Sequence, residues 1–455
     1  MKNYTLLIIL LAVCQVGFTQ NKSIEKANKL FASQAYAEAI ALYSAEDQLD
    51  SDAALNLADA LYYNANADEA AKAYAKAWEL NPGRSMDAHF RYADALKRSN
   101  AYDKANEILT TYSGTSIDIL KAMEKNDMEV SQFFMPEVMD AASAYADFAP
   151  AYYDRQLVFA SDRNAARPTY PWTGKPFLDL YYAQPVADTL SEYQTFSRSI
   201  NTDTHESNAV FFANGTKMYF TRTSNKFKKV DGAKVAPLQL YSAELVNGKW
   251  GNIELLSISS DSYSVAHPAL SADEQTLYFS SDMPGGYGSF DIYKVSINGD
   301  NNFGTPVNLG ENVNSDKLEQ FPYVSENGNL YFASNRVEGL GGLDLYSSDA
   351  SGDAFAEAYN LGSSINSNAD DFSLIIKERQ ASGYMSSNRT GKDKIYQFTT
   401  FPNLDYQIIG NVDDKKTLEP IEGAEVTLYR PETGSTQKMT TLADGSFKFE
   451  VHPNS

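Results

Sequence analysis

One strand-like motif occurs five times in the middle of the chain, and no other feature restricts the possible folds as much. The five copies read LVFASDR, MYFTRTS, LYFSSDM, LYFASNR and GYMSSNR. The third residue of each copy forms a column with spacings of 61, 59, 53 and 53 residues: Phe159, Phe220, Phe279, Phe332 and Met385. Short apolar and aromatic runs that end in turn residues are typical of β-strands.

Each copy lies between two further strand-like segments. The segments before the copies read FAPAY, SNAVF, AHPAL, QFPYV and DFSLI, and those after them read LDLY, LQLY, FDIY, LDLY and DKIY. Repeating units of three or four short strands are typical of propeller blades. The sequence therefore predicts a five-bladed β-propeller over residues 129–401. Ring closure needs one blade built from both ends of the domain, and we expect Gln132–Tyr145 to pair beside Ile395–Thr399.

A second column precedes the first by one residue and is mostly tyrosine: Val158, Tyr219, Tyr278, Tyr331 and Tyr384. Neighbouring residues of a strand point to opposite faces of the sheet. We expect the Phe column to fill the space between blades, because phenylalanine has no hydroxyl group that needs a partner.

The glycine-rich loop FSSDMPGGYGSFDIYKV has the composition of a phosphate-binding loop but not its position. It lies between the second and third strands of a unit, where glycine permits a positive φ, and no helix follows it. We expect three residues to begin this turn and to cap backbone donors: Asp282, Asn335 and Asn388. Asp291 and Asp344 could be metal ligands. Gln239 and Lys394 occupy the same column, which favours a structural role in the blade.

Two units carry much longer loops at this position. The loop of the first unit, NAARPTYPWTGKP, contains aromatic residues of the kind that anchor interfaces, and that of the second, NKFKKVDGAKVAP, is a positive patch in an acidic protein. We predict that both loops form one partner-binding face, carried by Tyr170, Trp172, Lys226, Lys228, Lys229 and Lys234. The alternative is that both loops are mobile decorations, in which case the partner would bind the helical region.

The region before the propeller, residues 20–128, is predicted to be helical. Three segments, AYAEAIALYSAE, ADEAAKAYAKAWELNP and AYDKANEILTTY, align with Ala39, Ala70 and Ala105 in register. This pattern resembles the tetratricopeptide repeat, whose period is about 34 residues. It predicts an all-α tetratricopeptide solenoid, whose concave groove suits peptides or partner proteins. The alternative is a helical spacer without a binding role.

The N-terminus has the pattern of a secretory signal peptide over residues 1–19. Lys2 precedes the short apolar run Leu6–Val13, and Gly17 and Thr19 have the spacing that signal peptidase requires. A lipoprotein signal that uses Cys14 is the alternative. Because Cys14 is the chain's one cysteine, we expect the mature, exported protein to lack disulfides.

Residues 402–455 alternate apolar and polar positions in AEVTLY and SFKFEV. Gly410, Gly423 and the pair Asp444–Gly445 mark the turns between such segments. These pieces resemble the carboxypeptidase-regulatory-like β-sandwich, a module without peptidase chemistry. We therefore predict a partial β-sandwich here, and we expect the sequence to be a fragment that ends before the module's remaining strands.

No residue pattern in the chain predicts catalysis, a cofactor site or a metal site. The net charge is −21, which disfavours nucleic acid as a partner. The four histidines are scattered, and the sequence contains neither a G-x-S-x-G elbow nor an EF-hand loop. We therefore predict that the protein is not an enzyme and binds no cofactor. A carboxylate pair assembled in space by the propeller is the alternative that sequence leaves open.

The order of signal, helical repeats, WD40-like (PD40) propeller and regulatory-like module resembles the multidomain OmpA-family proteins of the bacterial envelope. That family includes a component of the type IX secretion system. The resemblance implies a non-enzymatic periplasmic scaffold, associated with the outer membrane, that joins secretion or gliding proteins to the cell wall. Its partners would be envelope proteins, with peptidoglycan bound only by an OmpA-like domain that this sequence lacks. The alternatives are a hydrolase or glycan-processing propeller and a soluble ligand-sensing propeller.

Overall fold

The computed structural model describes residues 22–230, 233–352, 354–402, 406–429 and 436–451. The described chain is mostly β, with a five-bladed β-propeller at its centre. The predicted signal peptide lies outside the described residues. Among the described residues, no helix is both long enough and apolar enough to span a bilayer.

Seven short helices precede the propeller in the described chain: α1 (22–32), α2 (Tyr36–Ser44), α3 (Ser51–Tyr63), α4 (Ala67–Leu80), α5 (Met86–Arg98), α6 (Tyr102–Ser113) and α7 (Ile119–Glu129). Side chains cap the starts of α3, α5 and α7, whereas α2, α4 and α6 begin without a side-chain cap. Asp50 accepts from two backbone amides at the start of α3, and Ser85 accepts from Ala88 N at the start of α5. Gly114, at φ +72°, ends α6.

The prediction of an all-α tetratricopeptide solenoid is wrong. The aligned alanines are buried, because each helix from α2 onward packs on the next. However, the helices are few and short, and their apolar core is completed by Leu340 and Val337 of the propeller. The sequence pattern identified helix pairs correctly. It could not reveal that the propeller supplies part of their core.

The propeller strands are numbered in chain order after the single strand β1 (Gln132–Val138). Blade 1 contains β2 (Asp147–Tyr153), β3 (Gln156–Ser161), the hairpin β4–β5 (Thr169–Tyr170 and Lys175–Pro176), β6 (Asp179–Val186) and β7 (Thr189–Thr195). Blade 2 contains β8 (Glu206–Phe212), β9 (Lys217–Thr223), the hairpin β10–β11 (Lys228–Val230 and Ala233–Val235), β12 (Leu238–Val246) and β13 (Lys249–Leu255).

Blade 3 contains β14 (Val265–Leu270), β15 (Thr276–Ser281), β16 (Asp291–Gly299), β17 (Asn302–Phe303) and β18 (Val307–Asn308). Blade 4 contains β19 (Glu319–Val324), β20 (Leu330–Ser334), β21 (Asp344–Ser348), the hairpin β22–β23 (Ala350–Ser351 and Ala354–Phe355) and β24 (Tyr359–Asn360). Blade 5 contains β25 (Asp371–Lys377), β26 (Ser382–Ser387) and β27 (Lys394–Pro402), with a 3-10 turn at Glu378–Gln380.

Blade 5 is completed by β1, which confirms the predicted ring closure. β1 pairs antiparallel with β27, from Gln132 opposite Pro402 to Val138 opposite Tyr396. The outermost strand of the last blade therefore comes from the N-terminal end of the domain. This arrangement pairs an edge that would otherwise stay open.

Both aromatic columns fill the space between blades, so the prediction that the Phe column does so was incomplete. Phe279 packs in one cluster with Tyr219 of the preceding blade, and Phe332 packs likewise with Tyr278. The Phe column is fully buried, and the Tyr column is nearly so up to Tyr331. A tyrosine tolerates this position because its hydroxyl can reach a polar edge, as Tyr331 does by donating to Glu378 Oε1 over 2.9 Å.

Asp291 and Asp344 have the structural role predicted for them, in blades 3 and 4. Asp344 accepts from Leu340 N and Gly341 N at 2.7 and 3.0 Å, and Asp291 accepts from two amides of the equivalent turn. The residues expected to cap the turn instead cap the start of the first strand, since Asn388 Oδ1 accepts from Asp370 N at 2.8 Å. Asp282 and Asn335 do the same in blades 3 and 4.

The C-terminal region forms two antiparallel strand pairs in its described part. β28 (Tyr406–Asn411) pairs with β31 (Ser446–Val451), and β29 (Glu425–Tyr429) pairs with β30 (Thr436–Thr440). Gly423 and Gly445 have φ values of +74° and +72°, as their predicted turn positions require, but the prediction of a turn at Gly410 is wrong, because Gly410 pairs with Phe447 inside β28.

Candidate functional site

The propeller axis contains a small cavity of about 180 Å³, lined by the innermost strands of all five blades. The lining is mostly apolar and aromatic, including Tyr152, Phe321 and Tyr323. Within the described residues that line this cavity there is no aspartate or glutamate. Nor do the described residues contain a group of three or more potential metal ligands.

Each innermost strand has a bulge beside this cavity. The bulged residues have left-handed backbone conformations, with φ between 37° and 56°: Ala149, Asn208, His267, Phe321 and Ser373. Such values are uncommon outside glycine. The freed amides link neighbouring blades, since Ala149 N donates to Ser386 Oγ and His267 N donates to Thr221 Oγ1, each over 2.9 Å. The left-handed conformations therefore release backbone amides that bond neighbouring blades to each other.

His267 is the one histidine in the cavity lining of the described chain. Its ring stacks on Phe321 with the centroids 4.0 Å apart. Burial lowers the pKa of His267 to about 3, so the imidazole is neutral at physiological pH. No carboxylate lines the cavity beside it among the residues described. His267 therefore packs the axis as a neutral ring.

A larger cleft of about 720 Å³ lies where the helices meet the propeller, and we call it the seam cleft. One wall is α7, through Ala122, Met123 and Asn126. The other walls are the link between blades 3 and 4 (residues 311–317), the turn at 336–338, and the outer part of blade 4. Asn126 Nδ2 donates to Asn360 O over 3.1 Å and fixes α7 against blade 4.

The two cations of the seam cleft are already neutralised by the protein. Lys317 Nζ donates to Tyr112 Oη at 2.6 Å and to Asp316 Oδ2 at 2.8 Å, and it lies 4.9 Å from the Tyr112 ring centroid. Arg336 donates to Val313 O and contacts the buried Glu319. Neither cation is free to bind an anionic ligand.

Besides Asp316, which pairs with Lys317, three lining carboxylates of the seam cleft are exposed: Glu311, Glu338 and Glu357. Within the described part of the chain, none of the three has a hydrogen-bond or ion-pair partner. The open cleft is therefore negative at its rim. Val337, Ala358 and Tyr359, which are partly exposed, supply an apolar surface in the same cleft.

Buried polar contacts join the helices to the propeller next to this cleft. Arg98 pairs with Asp370 at 2.7 Å, with 9% and 19% of the two side chains exposed. Asn368 Nδ2 donates to Arg98 O over 2.6 Å, and Tyr102 Oη donates to Leu340 O over 3.2 Å. The geometry of the cleft therefore depends on how α5 and α6 are docked.

Lys97 extends this contact into a fully buried environment. Its Nζ donates to Gly339 O over 3.1 Å and lies 3.5 Å from Asp94 Oδ1. Burial raises the pKa of the Asp94 carboxyl, and Lys97 opposes that shift. Burial also raises the pKa of Asp344, beneath the same turn, to about 6. Carboxyl groups that resist ionisation are what a dry interface between two packed layers produces.

The first predicted site loop contacts the protein's own helices. Trp172 Nε1 donates to Tyr63 O over 3.0 Å, and the indole packs on Tyr36 with the centroids 4.8 Å apart. Tyr170 packs on the ring of His205 at 4.5 Å, and burial raises its pKa to about 12. Trp172 thus attaches α2 and α3 to blade 1, and Tyr170 stacks on Trp172 with the centroids 6.3 Å apart.

The second predicted site loop is only partly described. Lys226 Nζ donates to Asp261 Oδ2 over 2.7 Å at an exposed site between blades 2 and 3. The side chains of Lys228, Lys229 and Lys234 lie outside the described part of the structure. Lys226 and Trp172 contact different parts of the molecule. The predicted common docking face of the two loops stays a prediction.

Sequence reasoning missed the seam cleft because its walls come from distant segments. Asn126 and Asn360 are 234 residues apart in the chain. The signal that was available is Lys317: it is a lone cation in the acidic linker VNSDKLEQ, and it lies against the aromatic residues of α5 and α6.

No family model matches the sequence, and no curated protein matches it. Solved structures with a similar fold include a TolB-like protein from Agrobacterium tumefaciens, at 11% identity and a TM-score of 0.36, covering 71% of this chain and 98% of that one. An endo-arabinase from Bacteroides thetaiotaomicron has 12% identity and a TM-score of 0.39, and the match covers 59% of this chain and 97% of that one. An α-L-arabinofuranosidase from Lactobacillus brevis has 11% identity and a TM-score of 0.35, and the match covers 59% of this chain and 93% of that one. With TM-scores below 0.5 and identities of 11–12%, these likenesses carry no conclusion about this chain.

Proposed function

We propose that this protein is a non-enzymatic scaffold that binds other proteins through the seam cleft. The observation that carries the proposal is the contrast between the two cavities. The axial cavity is small and lined mostly by apolar and aromatic residues, whereas the seam cleft is large and open and presents exposed charges without an internal partner among the described residues. A concave surface that combines apolar area with a few polar groups is the usual form of a binding site.

The construction of the seam cleft supports a binding role. Its walls belong to two structural layers held in fixed relation by Arg98, Asp370 and Lys97. A rigid site loses less conformational entropy when it binds a partner than a flexible one does. A cleft that combines exposed apolar area with exposed charges also resembles protein interfaces, which have an apolar core and a polar rim.

At a finer level, we place the scaffold in the periplasm, associated with the outer membrane and acting with type IX secretion or gliding proteins. Support comes from the N-terminal signal pattern and from the order of propeller and regulatory-like strands in the sequence. The partners would be outer-membrane or secretion-machinery components.

The competing proposal is a hydrolase or glycan-processing propeller. Such an enzyme needs two carboxyl groups held on either side of the scissile bond. The axial cavity, where a propeller would hold them, has apolar and aromatic side chains at the positions that the structure describes. This lining supports the scaffold over the enzyme.

A crosslinking experiment in native envelopes tests the scaffold proposal. A photoreactive amino acid at Ala358, in the wall of the seam cleft, should give crosslinks to a small, reproducible set of envelope proteins. The same group at Asn252, exposed on blade 2, is the matched control and should not crosslink to that set. Equal crosslinking from both positions would contradict the proposal, and so would turnover of an arabinan or peptide substrate by the purified protein.

A further inference from the structure

We propose that the seam cleft binds a basic, extended segment of its partner, in which lysine or arginine residues alternate with apolar residues. This inference rests on the proposed function and names the chemistry of the partner. Extended chains place successive side chains on opposite faces. One face of such a segment would meet the carboxylates of the cleft, and its apolar residues would meet Val337, Ala358 and Tyr359.

The charge distribution of the cleft selects the sign of the partner. Glu311, Glu338 and Glu357 are exposed, while Lys317 and Arg336 are held by the protein's own acceptors. A lysine or arginine of the partner would therefore meet carboxylates with no internal partner in the described structure. Opposite charges across an interface speed association and exclude wrong partners more than they raise affinity.

The surface between the carboxylates favours a segment with apolar residues. Val337, Ala358 and Tyr359 are partly exposed in the lining, whereas Tyr346 and Met123, which also line the cleft, are each only 4% exposed. A purely hydrophilic basic segment would leave this surface in contact with water. Apolar area removed from water contributes about 25 cal/mol per Å², so alternating apolar residues add affinity that charge alone does not supply.

The size of the cleft excludes a folded domain as its occupant, and the net charge of the protein disfavours a second copy of this chain. A cleft of about 720 Å³ holds a segment of a few residues and is too small for a folded domain. A second copy of this chain carries the same net charge of −21, so its approach is repelled. The fitting occupant is a short basic stretch of a different protein.

The binding test uses the full chain and a fluorescein-labelled ten-residue peptide of alternating lysine and valine. Fluorescence anisotropy should show saturable binding, with little binding of the matched glutamate–valine peptide. The triple variant Glu311→Gln, Glu338→Gln, Glu357→Gln should weaken binding at least about fivefold, given the size of exposed charge pairs. Raising the ionic strength should reduce binding by the wild-type protein.

A second triple variant controls for net charge. Asp68→Asn, Glu79→Gln and Glu254→Gln remove the same charge from exposed positions on α4 and blade 2. Binding should change less than about twofold in this control. Equal weakening by both triple variants would overturn the proposal, because bulk charge would then explain binding. Absence of binding by the wild-type protein would also overturn it.

Envelope crosslinking with the cleft variant separates this inference from the proposed function. Loss of the crosslinked partner set from the triple glutamine variant supports both statements. Unchanged crosslinking, with peptide binding lost or absent, overturns the basic-segment inference and leaves the scaffold function standing. Peptide binding without any envelope partner supports the chemistry of the cleft and overturns the scaffold.

Discussion

Arg98 and Asp370 are joined by an ion pair of 2.7 Å that fastens helix α5 to the start of blade 5. Asp370 is held from the propeller side as well, because its carboxylate accepts from Leu343 N and from Asn388 Nδ2. The pair lies beside Asp393, whose pKa burial and Asp370 raise to about 7. Arg98 thus stabilises a carboxylate that has another acidic group nearby.

Replacing Arg98 with alanine should destabilise the docking of the helices. It leaves Asp370 without its cation at a mostly buried site, and breaking such a pair costs roughly 3–5 kcal/mol. Hydrogen exchange should accelerate in α5 and α6, and the urea midpoint of the full chain should fall. Lys104→Ala, which removes an exposed pair with Glu107, is the matched control and should cost at most about 1 kcal/mol. Equal losses of stability in the two variants would show that the Arg98–Asp370 pair does not hold the helices against the propeller.

Replacing Phe279 with alanine tests the packing between blades. Phe279 is fully buried, belongs to the cluster that contains Tyr219, and stacks on Tyr293. Removing such a ring from a core typically costs about 3–5 kcal/mol, which chemical denaturation can measure. Phe227, 65% exposed, provides the matched Phe→Ala control, and its replacement should change stability by no more than about 0.5 kcal/mol. Similar losses in both variants would mean that the ring is not needed between blades.

Replacing Trp172 with alanine should loosen α2 and α3 while leaving the propeller nearly unchanged. The indole is the group of blade 1 that packs on Tyr36 and donates to Tyr63 O. Hydrogen exchange should therefore increase in these two helices and remain constant in blades 3 and 4. Trp172→Phe keeps a ring but not the N–H donor, so its effect should be smaller. Unchanged hydrogen exchange in α2 and α3 would show that Trp172 does not hold these helices, and its loop would then be available to an external partner.

The blades were predictable from sequence because each one repeats the same local chemistry. The column from Phe159 to Met385 marks one strand per blade, and the requirement to pair a free edge pointed to β1 beside β27. Both arguments depend on local pattern and on general rules of sheet topology. The roles of Asp291 and Asp344 followed in the same way, from the composition of one column.

The contact between the helices and the propeller, and the seam cleft beside it, were not predictable because they depend on contacts between distant segments. Arg98 and Asp370 are 272 residues apart, and each is ordinary in its local sequence: a basic residue at a helix end and an acidic residue in a loop. The same limit explains the solenoid error. Helical periodicity identifies an apolar face, but it cannot tell whether another helix or the propeller, through Leu340, covers that face.

Acid should destabilise the protein partly through His267. The folded pKa is about 3 and the usual unfolded value is about 6.5, so the unfolded chain takes up a proton first as the pH falls. The contribution of the neutral ring to stability is therefore complete above pH 6.5 and is lost at about 1.4 kcal/mol per pH unit down to pH 3. His205, whose pKa burial lowers to about 4, acts in the same direction. Burial raises the pKa of Glu206 to about 7, so this group acts in the opposite direction. The effect of His267 must therefore be isolated with a variant at that one position.

His267→Asn is that variant, because asparagine tolerates the φ of +56° at this position. The variant should be less stable than the wild type at pH 7.5, since the stack on Phe321 is lost. The difference in unfolding free energy should narrow as the pH falls from 6.5 to 4.5, because only the wild type carries this histidine penalty. Phe321→Leu removes the same stack without removing the histidine, so its difference from the wild type should vary much less with pH. Urea denaturation at several pH values measures both differences, and parallel curves for the two variants would show that His267 does not titrate on unfolding as inferred.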